Sequence, residues 1–253
     1  MKATFEVDKV SVSHRLKEVD LTIPSGRCIH ILGPNGAGKS TLLNTLGAIV
    51  PATAGQVLLN QRPIEAWPLP VLASFRSILA QHSEAVFSVS VADYLSFFSH
   101  DEQSIVPTML EKALEVGGYF SQSINRLSGG ERQRVEICRS LMQVWPAIEQ
   151  GEAVLLLDEP LQGLDIRHQY GFLALCTRLC ELGNTLILSC HDISLSANYG
   201  QDIIFMKHGQ VTSYGAVGEV MTAQNLENTF DCHFAVKERD DFLEIQVCAP
   251  IVG

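Results

Sequence analysis

The sequence predicts an α/β fold with a mostly parallel central sheet, an antiparallel β layer at its N-terminal end and an inserted helical lobe. Apolar runs at 28–32, 153–157 and 185–189 are typical of strands that are buried on both faces. Segments with helical periodicity alternate with these runs, and such alternation implies right-handed crossovers and a parallel sheet. Residues 5–12 and 19–23 alternate between apolar and polar instead, which predicts half-exposed strands of an antiparallel layer.

The segment from about residue 90 to residue 125 differs from its surroundings. Apolar residues such as Val91, Leu95 and Phe98 recur there at helical spacing without a strong strand, which predicts the helical lobe. We expect a single domain over residues 1–253, with a core at 1–89 and 127–200, the lobe at 90–126, and a C-terminal hairpin, helix and strand pair at 201–253. Further predicted elements are a helix at 40–48, strands at 56–60 and 77–80, a helix at 170–182, a hairpin at 203–206 and 211–214, a helix at 216–230 and strands flanking 239–241.

Length and composition are compatible with one large domain and a smaller appended lobe. The chain has 253 residues, of which 46% are hydrophobic and 18% charged, values typical of a well-packed globular protein. Its formal net charge of -10 counts against a nucleic-acid partner, because phosphate binding usually requires a basic surface. No stretch approaches the roughly 20 apolar residues that a membrane span requires, and the N-terminus lacks a signal-peptide pattern. We therefore expect membrane association only through a partner.

The cysteines predict reduced thiols rather than a disulfide framework, because their number, 7, is odd and they are scattered through apolar contexts. Cys176 and Cys180 have helical i, i+4 spacing and could share a metal ion. No second pair of cysteines or histidines completes a tetrahedral set, so packing in the core is the favoured interpretation.

A glycine-rich segment follows the first buried strand and precedes a helix. Residues 33–40 match the pattern G-x-x-x-x-G-K-[ST], which in this context is typical of phosphate-binding loops. Glycines let the backbone curl so that its N–H groups point at phosphate oxygens, and the following helix contributes the positive end of its dipole. Lys39 is expected to reach the β- and γ-phosphates, and the Ser40 hydroxyl to ligate Mg²⁺.

The nucleotide-binding residues predicted in this segment are Gly33, Pro34, Asn35, Gly36, Ala37, Gly38, Lys39, Ser40 and Thr41. By itself the motif indicates only a P-loop NTPase, a class that includes GTPases, kinases and helicases. A narrower assignment requires further motifs.

The apolar run 154–157 ends in two carboxylates, Asp158 and Glu159. A central parallel strand would place Asp158 at the carboxyl edge of the sheet, where ligands bind in open α/β folds. Beside Ser40, Asp158 can hold Mg²⁺ directly or through water. Glu159 points differently and can orient the attacking water as a general base. The alternative is an Asp-Glu pair that only caps a turn.

A second phosphate-contacting motif is predicted at residues 127–134, Leu-Ser-Gly-Gly-Glu-Arg-Gln-Arg. Ser128 and Glu131 form the S-x-x-E pattern of a capping box, and an apolar stripe continues along the helix that it starts. The segment is similar to the signature motif of ABC ATPases, and it lies between a P-loop and an Asp-Glu strand end. This resemblance covers nearly the whole chain.

The resemblance implies a head-to-tail dimer with two ATP molecules between the copies, each P-loop facing Ser128, Gly129 and Gly130 of the other copy. It also implies a metal- and water-contacting role for Gln81 and a γ-phosphate contact for His191, which acts as a catalytic residue with Glu159 and Gln81. The implied magnesium-binding residues are Ser40, Gln81 and Asp158.

Two positions depart from the pattern of the family. Gln162 and Gly163 replace the common Ser-Ala before Leu164-Asp165, which resembles the dimer-contacting D-loop. Where the family places an aromatic residue that stacks on adenine, this sequence offers only His14 and Arg15. The preference for ATP over GTP is therefore left open.

Within the family, the chain is most similar to ATPases of bacterial vitamin B12 (cobalamin) import, through residues 62–67, 154–160, 219–222 and 225–226. ATPases of iron-siderophore and haem import share most of these features and are the alternative. The resemblance implies an integral membrane permease, a periplasmic substrate-binding protein and a peripheral position at the cytoplasmic face of the inner membrane. A permease helix could dock around Phe87, Val89, Tyr94 and Phe98, although these residues could equally form the core of the lobe.

Two rival classes are weighed against a transport ATPase. DNA-repair ABC proteins carry a long coiled coil and translation factors usually join two cassettes, whereas this chain has one cassette, a short insert and an acidic balance. A non-catalytic regulatory subunit is disfavoured because Lys39, Asp158, Glu159 and His191 are all present.

Overall fold

The strands form three sheets within residues 5–80, 88–100, 105–240 and 242–251, which are the residues that the computed structural model describes. They are β1 (Phe5–Val12), β2 (Leu16–Ile23), β3 (Cys28–Leu32), β4 (Ala54–Leu59), β5 (Arg62–Pro63), β6 (Arg76–Leu79), β7 (Val154–Leu157), β8 (Thr185–Ser189), β9 (Asp202–Lys207), β10 (Gln210–Ala216), β11 (Cys232–Arg239) and β12 (Phe242–Pro250). The central sheet has the order β10-β9-β3-β8-β7-β6. Every neighbouring pair of strands in this sheet is parallel except the pair β9–β10, which is antiparallel.

Helices cover the central sheet and connect its strands. They are α1 (Lys39–Leu46), α2 (Leu69–Phe75), α3 (Val91–Ser96), α4 (Thr108–Leu114), α5 (Gly129–Gln143), α6 (Trp145–Glu149), α7 (Ile166–Glu181), α8 (Ile193–Tyr199), α9 (Val217–Val220) and α10 (Ala223–Phe230). Short 3₁₀ helices lie at Ile64–Ala66, Gly117–Tyr119 and Ile124–Arg126. None of the helices in the described ranges is long and apolar enough to cross a membrane.

The central sheet divides the hydrophobic interior into two cores. Every residue of β3, β7 and β8 is buried, as their apolar runs predicted. Because side chains alternate across a pleated strand, Val154 and Leu156 of β7 enter one core with β1, β2 and α1. Leu155 and Leu157 enter the other core with α3, α5 and α7. The predicted α/β fold with a mostly parallel sheet is confirmed.

The antiparallel layer at the N-terminal end is also confirmed. It has the order β2-β1-β4-β5, with every neighbouring pair antiparallel. Buried and more exposed positions alternate along β2, which packs its apolar side chains toward the core that contains α1. This layer therefore holds the β1–β2 turn close to the start of α1.

The predicted helical segment contains α3, α4 and two 3₁₀ helices. Ser90 caps α3, since its side chain accepts a hydrogen bond from the Asp93 N–H at 3.0 Å. Buried Val91 and Leu95 join the core that contains α5. The element types agree with the sequence pattern, whereas the division of the chain at residues 90 and 126 stays a prediction.

Two predicted helix boundaries were wrong. The stretch 216–230 is two helices, because Thr222 caps a new helix by accepting a hydrogen bond from the Asn225 N–H at 3.2 Å. Helix α7 begins at Ile166 rather than at residue 170, because Asp165 caps it through the His168 N–H at 2.9 Å. Asp165 thus fixes the start of α7.

A buried histidine makes the stability of this fold depend on pH. His30 lies wholly buried on β3, with Nδ1 3.0 Å from Ser196 Oγ, and burial lowers its pKa to about 3 from an ordinary value of 6.5. Below about pH 6.5 the unfolded chain binds a proton at this residue and the folded chain does not, so stability is lost as the pH falls from 6.5 toward 3. Each pH unit in that window costs about 1.4 kcal/mol.

We therefore expect His30→Gln to flatten the acid side of the stability profile. Between pH 7.5 and pH 5.5 the native protein should lose about 1.4 kcal/mol more unfolding free energy than the variant. Urea unfolding at the two pH values measures this difference, with exposed His14→Gln as the control. Equal losses in the native protein and in His30→Gln would contradict the assignment.

Candidate functional site

The loop between β3 and α1 is shaped by glycine. Gly36 and Gly38 have φ angles of 77° and 104°, in the left-handed region that favours glycine. A Cβ atom at Gly38 would lie 2.9 Å from the Arg15 carbonyl oxygen, whereas at Gly36 it would meet nothing within 4 Å. The N-cap residue of α1 is Gly38, which has no side chain to cap the helix, and the first N–H groups of a helix without a side-chain cap can bind an anion.

Lys39 lies folded into this loop. Its ammonium group donates hydrogen bonds to the carbonyl oxygens of Gly33 at 2.8 Å and Pro34 at 3.1 Å. Burial lowers the pKa of Lys39, while the nearby charges of Glu159 and Asp158 oppose that shift. The loop therefore holds a preoriented cation among backbone N–H donors.

The two carboxylates emerge where β7 ends. Asp158 is buried, and its backbone N–H donates to the Leu79 carbonyl oxygen at 2.9 Å. Glu159 follows with a φ of 50°, and its Oε1 lies 2.5 Å from His191 Nε2. These contacts join the ends of β6, β7 and β8 at one edge of the sheet.

A cavity of about 400 Å³ brings the loop and these groups together. It is lined by Arg15, Asn35, Gly36, Ala37, Gly38, Lys39, Ser40, Thr41, Glu159, Gln162 and His191. Most predicted residues of the phosphate-binding loop and both His191 and Glu159 thus surround one space. Gln81 and Phe87 lie outside the described residues, so the role of Gln81 stays a prediction.

The N-terminus of α5 carries Ser128, Gly129 and Gly130, which do not line this cavity. Ser128 and Glu131 form the predicted capping box, in which the Ser128 N–H donates to Glu131 Oε2 at 2.8 Å. A Cβ atom at Gly130 would lie 2.5 Å from the Gly163 carbonyl oxygen, whereas at Gly129 it would meet nothing within 4 Å. Ser128 and Gly129 are exposed, and this end of the helix faces outward.

The oxygen donors beside the cavity fit a magnesium ion bound together with a polyphosphate. The Ser40 hydroxyl and the Asp158 carboxylate are hard oxygen ligands, which Mg²⁺ prefers, and Mg²⁺ usually combines one or two carboxylates with substrate phosphates. No cluster of at least three His, Cys, Asp or Glu side chains arranged for a metal ion occurs among the described residues. Cys176 and Cys180 are buried in the core, and the prediction that they pack there is confirmed.

The structure adds two residues to the candidate site that the sequence did not assign to it: one lines the cavity and the other contacts the two carboxylates. Arg15 reaches the cavity from the β1–β2 turn, a position that the sequence suggested only as the place of a missing aromatic residue. Ser189 contacts both Asp158 and Glu159 and was missed entirely. The register of β7 with β8 is the signal that could have found it, but a sequence alone does not supply that register.

The fold and this site define a P-loop nucleotide-binding protein. A family model described as ABC transporter matches residues 16–162. The chain belongs to the ABC transporter family, as its ATP-binding domain.

Relatives of similar length are named for the import of two different compounds. The hemin import ATP-binding protein HmuV of Rhodopseudomonas palustris is 36% identical over 222 residues, which cover 86% of this chain and 83% of the relative. The vitamin B12 import ATP-binding protein BtuD of Yersinia pseudotuberculosis is 32% identical over 236 residues, covering 91% and 93%.

Solved structures share the fold. CbiO1 from Clostridium perfringens, part of the ABC transporter complex cbiONQ, has a TM-score of 0.70 at 28% identity and covers 90% of this chain and 94% of its own. An inward-facing metal-chelate type ABC transporter described as putative has a TM-score of 0.75 at 19% identity over 98% of both chains. The latter likeness shows the fold alone.

Proposed function

We propose that the chain hydrolyses ATP to energise an importer of a metal-chelating macrocycle, either vitamin B12 or haem. The observation that carries this proposal is the cavity in which Lys39 and its loop face the Glu159–His191 pair. Relatives named for hemin import and for vitamin B12 import support both cargoes, at 36% and 32% identity. Of the sequence features that favoured cobalamin, Glu159 is the member that lines this cavity, and its role in hydrolysis is the same for either cargo. The choice between the two therefore rests on transport itself.

Hydrolysis would use the groups that surround the cavity. Lys39 and the loop N–H groups hold the phosphates, and the Glu159 carboxylate accepts a proton from the water that attacks the γ-phosphorus as ADP leaves. His191, with Nε2 protonated, donates to Glu159 Oε1 and orients that carboxylate. Ser40 and Asp158 would hold Mg²⁺, which neutralises negative charge on the phosphate oxygens.

A second copy of the chain would complete the site. The α5 N-terminus presents Ser128 and Gly129 to solvent, away from the cavity of its own chain. Its exposed N–H groups and helix dipole favour an anion such as a γ-phosphate. The family resemblance supplies the arrangement in which this helix end meets the loop of the partner copy.

A membrane permease would dock in a groove of about 560 Å³ beside α3 and α6, which is lined by both apolar and polar side chains. Phe98, Met109, Met142 and Trp145 line this groove, and neighbouring Phe97 is 77% exposed. Tyr94 packs inward instead, since its hydroxyl donates to buried Glu136 at 3.0 Å. Such a groove suits the apolar face of a permease helix at the cytoplasmic face of the membrane, with a periplasmic binding protein delivering the cargo.

Purification with a tagged chain tests this function. We expect an integral membrane protein to copurify, and the reconstituted pair to hydrolyse ATP faster when a binding protein presents its cargo. Uptake assays with cobalamin and with hemin then distinguish the two cargoes. Copurification of a soluble partner alone, or transport of neither compound, would contradict the proposal.

Arg15 is proposed to hold the nucleotide base. The β1–β2 turn is closed by the Arg15 N–H, which donates to the Val12 carbonyl oxygen at 2.8 Å. The turn is anchored through Gly209, whose carbonyl accepts from the Lys17 N–H at 2.8 Å and whose N–H donates to the Ala37 carbonyl oxygen at 3.0 Å. Among the described residues that line the cavity there is no Phe, Tyr or Trp, so the planar guanidinium of Arg15 is the group there that is suited to stack on a base.

We expect Arg15→Ala to weaken ATP binding by about 3- to 30-fold, the range typical of a cation–π contact, without weakening the binding of inorganic tripolyphosphate. A stacked guanidinium does not read the edges of a base, so ATP and GTP should bind the native protein with similar affinity. Calorimetry with the three ligands measures this, with exposed His14→Ala as the control. An equal loss for ATP and tripolyphosphate would show a phosphate contact instead.

A further inference from the structure

We propose that Ser189 is a positioning residue that orients both the magnesium-binding Asp158 and the general base Glu159. The proposal rests on the proposed ATPase function. Ser189 is fully buried at the end of β8. Its hydroxyl donates to Asp158 Oδ1 at 2.6 Å and accepts from the Glu159 N–H at 2.8 Å.

The strand register explains why one serine reaches both acids. β7 and β8 are parallel, and Leu157 is the register partner of Leu188. The next position along each strand brings Asp158 beside Ser189. On its other side Ser189 is the register partner of Ile31 in β3, the strand that leads into the phosphate-binding loop. The hydroxyl therefore lies between the acid pair and the base of that loop.

The Glu159 backbone needs such a partner. Its φ of 50° lies in the left-handed region, which residues other than glycine adopt only where the surroundings hold them. The Ser189 hydroxyl satisfies the Glu159 N–H in this conformation. The side chain then leaves the strand end toward His191, whose Nε2 lies 2.5 Å from Glu159 Oε1. The end of β8 thus fixes Glu159 twice, at its backbone through Ser189 and at its carboxylate through His191.

Asp158 is oriented by the same hydroxyl. The carboxylate is buried, and Oδ1 is engaged by the Ser189 hydroxyl. One carboxylate oxygen is thereby fixed in place, which leaves the other for a cation. Groups that orient metal-binding and reacting carboxylates typically change activity by 10- to 100-fold when they are removed.

Ser189→Ala tests this role, because alanine removes the hydroxyl without adding bulk. We expect kcat for ATP hydrolysis to fall by about 10- to 100-fold while the Kd for Mg-ATP changes by no more than about 3-fold. Ser189→Thr keeps the hydroxyl and should recover much of the lost kcat. Ser189→Cys keeps the size but bonds weakly, so it should behave like the alanine variant.

Two controls distinguish a positioning role of Ser189 from a purely structural one. Ser140→Ala removes another buried hydroxyl, one that donates to the Ile137 carbonyl oxygen within α5, and should leave kcat unchanged. In the Glu159→Gln background, Ser189→Ala should lower the residual rate by a smaller factor than in the native protein, because the part of its effect that acts through Glu159 is already lost. Thermal unfolding of each variant establishes that it is folded.

An unchanged kcat in Ser189→Ala, or a loss of ATP affinity as large as the loss of kcat, would overturn the inference. So would a threonine variant as slow as the alanine variant, or a full additional loss in the Glu159→Gln background. If the native protein does not hydrolyse ATP, the proposed function fails and this inference fails with it. Active native protein with an equally active Ser189→Ala variant refutes the positioning role alone.

Discussion

Glu159→Gln should abolish sustained ATP hydrolysis while leaving ATP binding intact. The glutamine amide keeps the shape of the side chain but cannot accept the proton of the attacking water, so we expect kcat to fall by about 10²- to 10⁴-fold. Lys39 and the loop N–H groups are unchanged, so the Kd for Mg-ATP should stay close to the native value. Phosphate release under saturating Mg-ATP measures the rate, and calorimetry measures the affinity.

A carboxylate outside the cavity provides the control for this substitution. Glu65→Gln replaces an exposed side chain on a 3₁₀ helix and should leave kcat unchanged. Undiminished turnover in Glu159→Gln would refute the general-base role. It would also remove the functional meaning of the 2.5 Å contact between Glu159 and His191.

Lys39→Ala should produce the largest loss of nucleotide affinity. The ammonium group lies within the loop, bonded to two of its carbonyl oxygens at 2.8 and 3.1 Å, and a bound phosphate would offer it a charged partner. A hydrogen bond to a charged group contributes about 1.5–3 kcal/mol, which corresponds to about a 10- to 150-fold weaker Kd in the variant. Calorimetry with ATP and with tripolyphosphate should show the same loss for both ligands.

Lys17→Ala is the matched control for charge. Lys17 is an exposed residue of β2, and its backbone N–H, which donates to the Gly209 carbonyl oxygen, is unaffected by the substitution. We expect native affinity in this variant. Unchanged affinity in Lys39→Ala would contradict the assignment of the loop as a phosphate-binding site.

The sequence predicted the parts of the fold that local patterns determine. The apolar runs of β3 and β7 specify strands buried on both faces, and each run points directly to the polar segment that follows it. The loop before α1 and the capping box at Ser128 are likewise local, since their glycines and their S-x-x-E spacing act within a few residues. These features were predictable because their physics is short-range.

Two of the missed features depend on how distant segments pair. Ser189 and Asp158 are 31 residues apart in sequence, and they meet only because the register of β7 with β8 places them side by side. Arg15 reaches the cavity because the β1–β2 turn is bonded to the chain near Gly209. The helix start at Thr222 is a local signal that was available and overlooked, since threonine commonly caps helices. Alternation and motif spacing carry no information about the first two contacts.

In the proposed dimer, ATP binds between the loop of one copy and the α5 N-terminus of the second copy. Gly129→Asp tests this arrangement most directly, because its new side chain enters open space in its own chain and a negative charge there would repel a γ-phosphate. Light scattering coupled to gel filtration should show Glu159→Gln as a dimer in Mg-ATP and as a monomer without nucleotide. Adding Gly129→Asp should keep that chain monomeric in Mg-ATP although it still binds the nucleotide. A Glu159→Gln chain that stays monomeric at saturating Mg-ATP, or a double variant that still dimerises with ATP, would contradict this arrangement of the two copies.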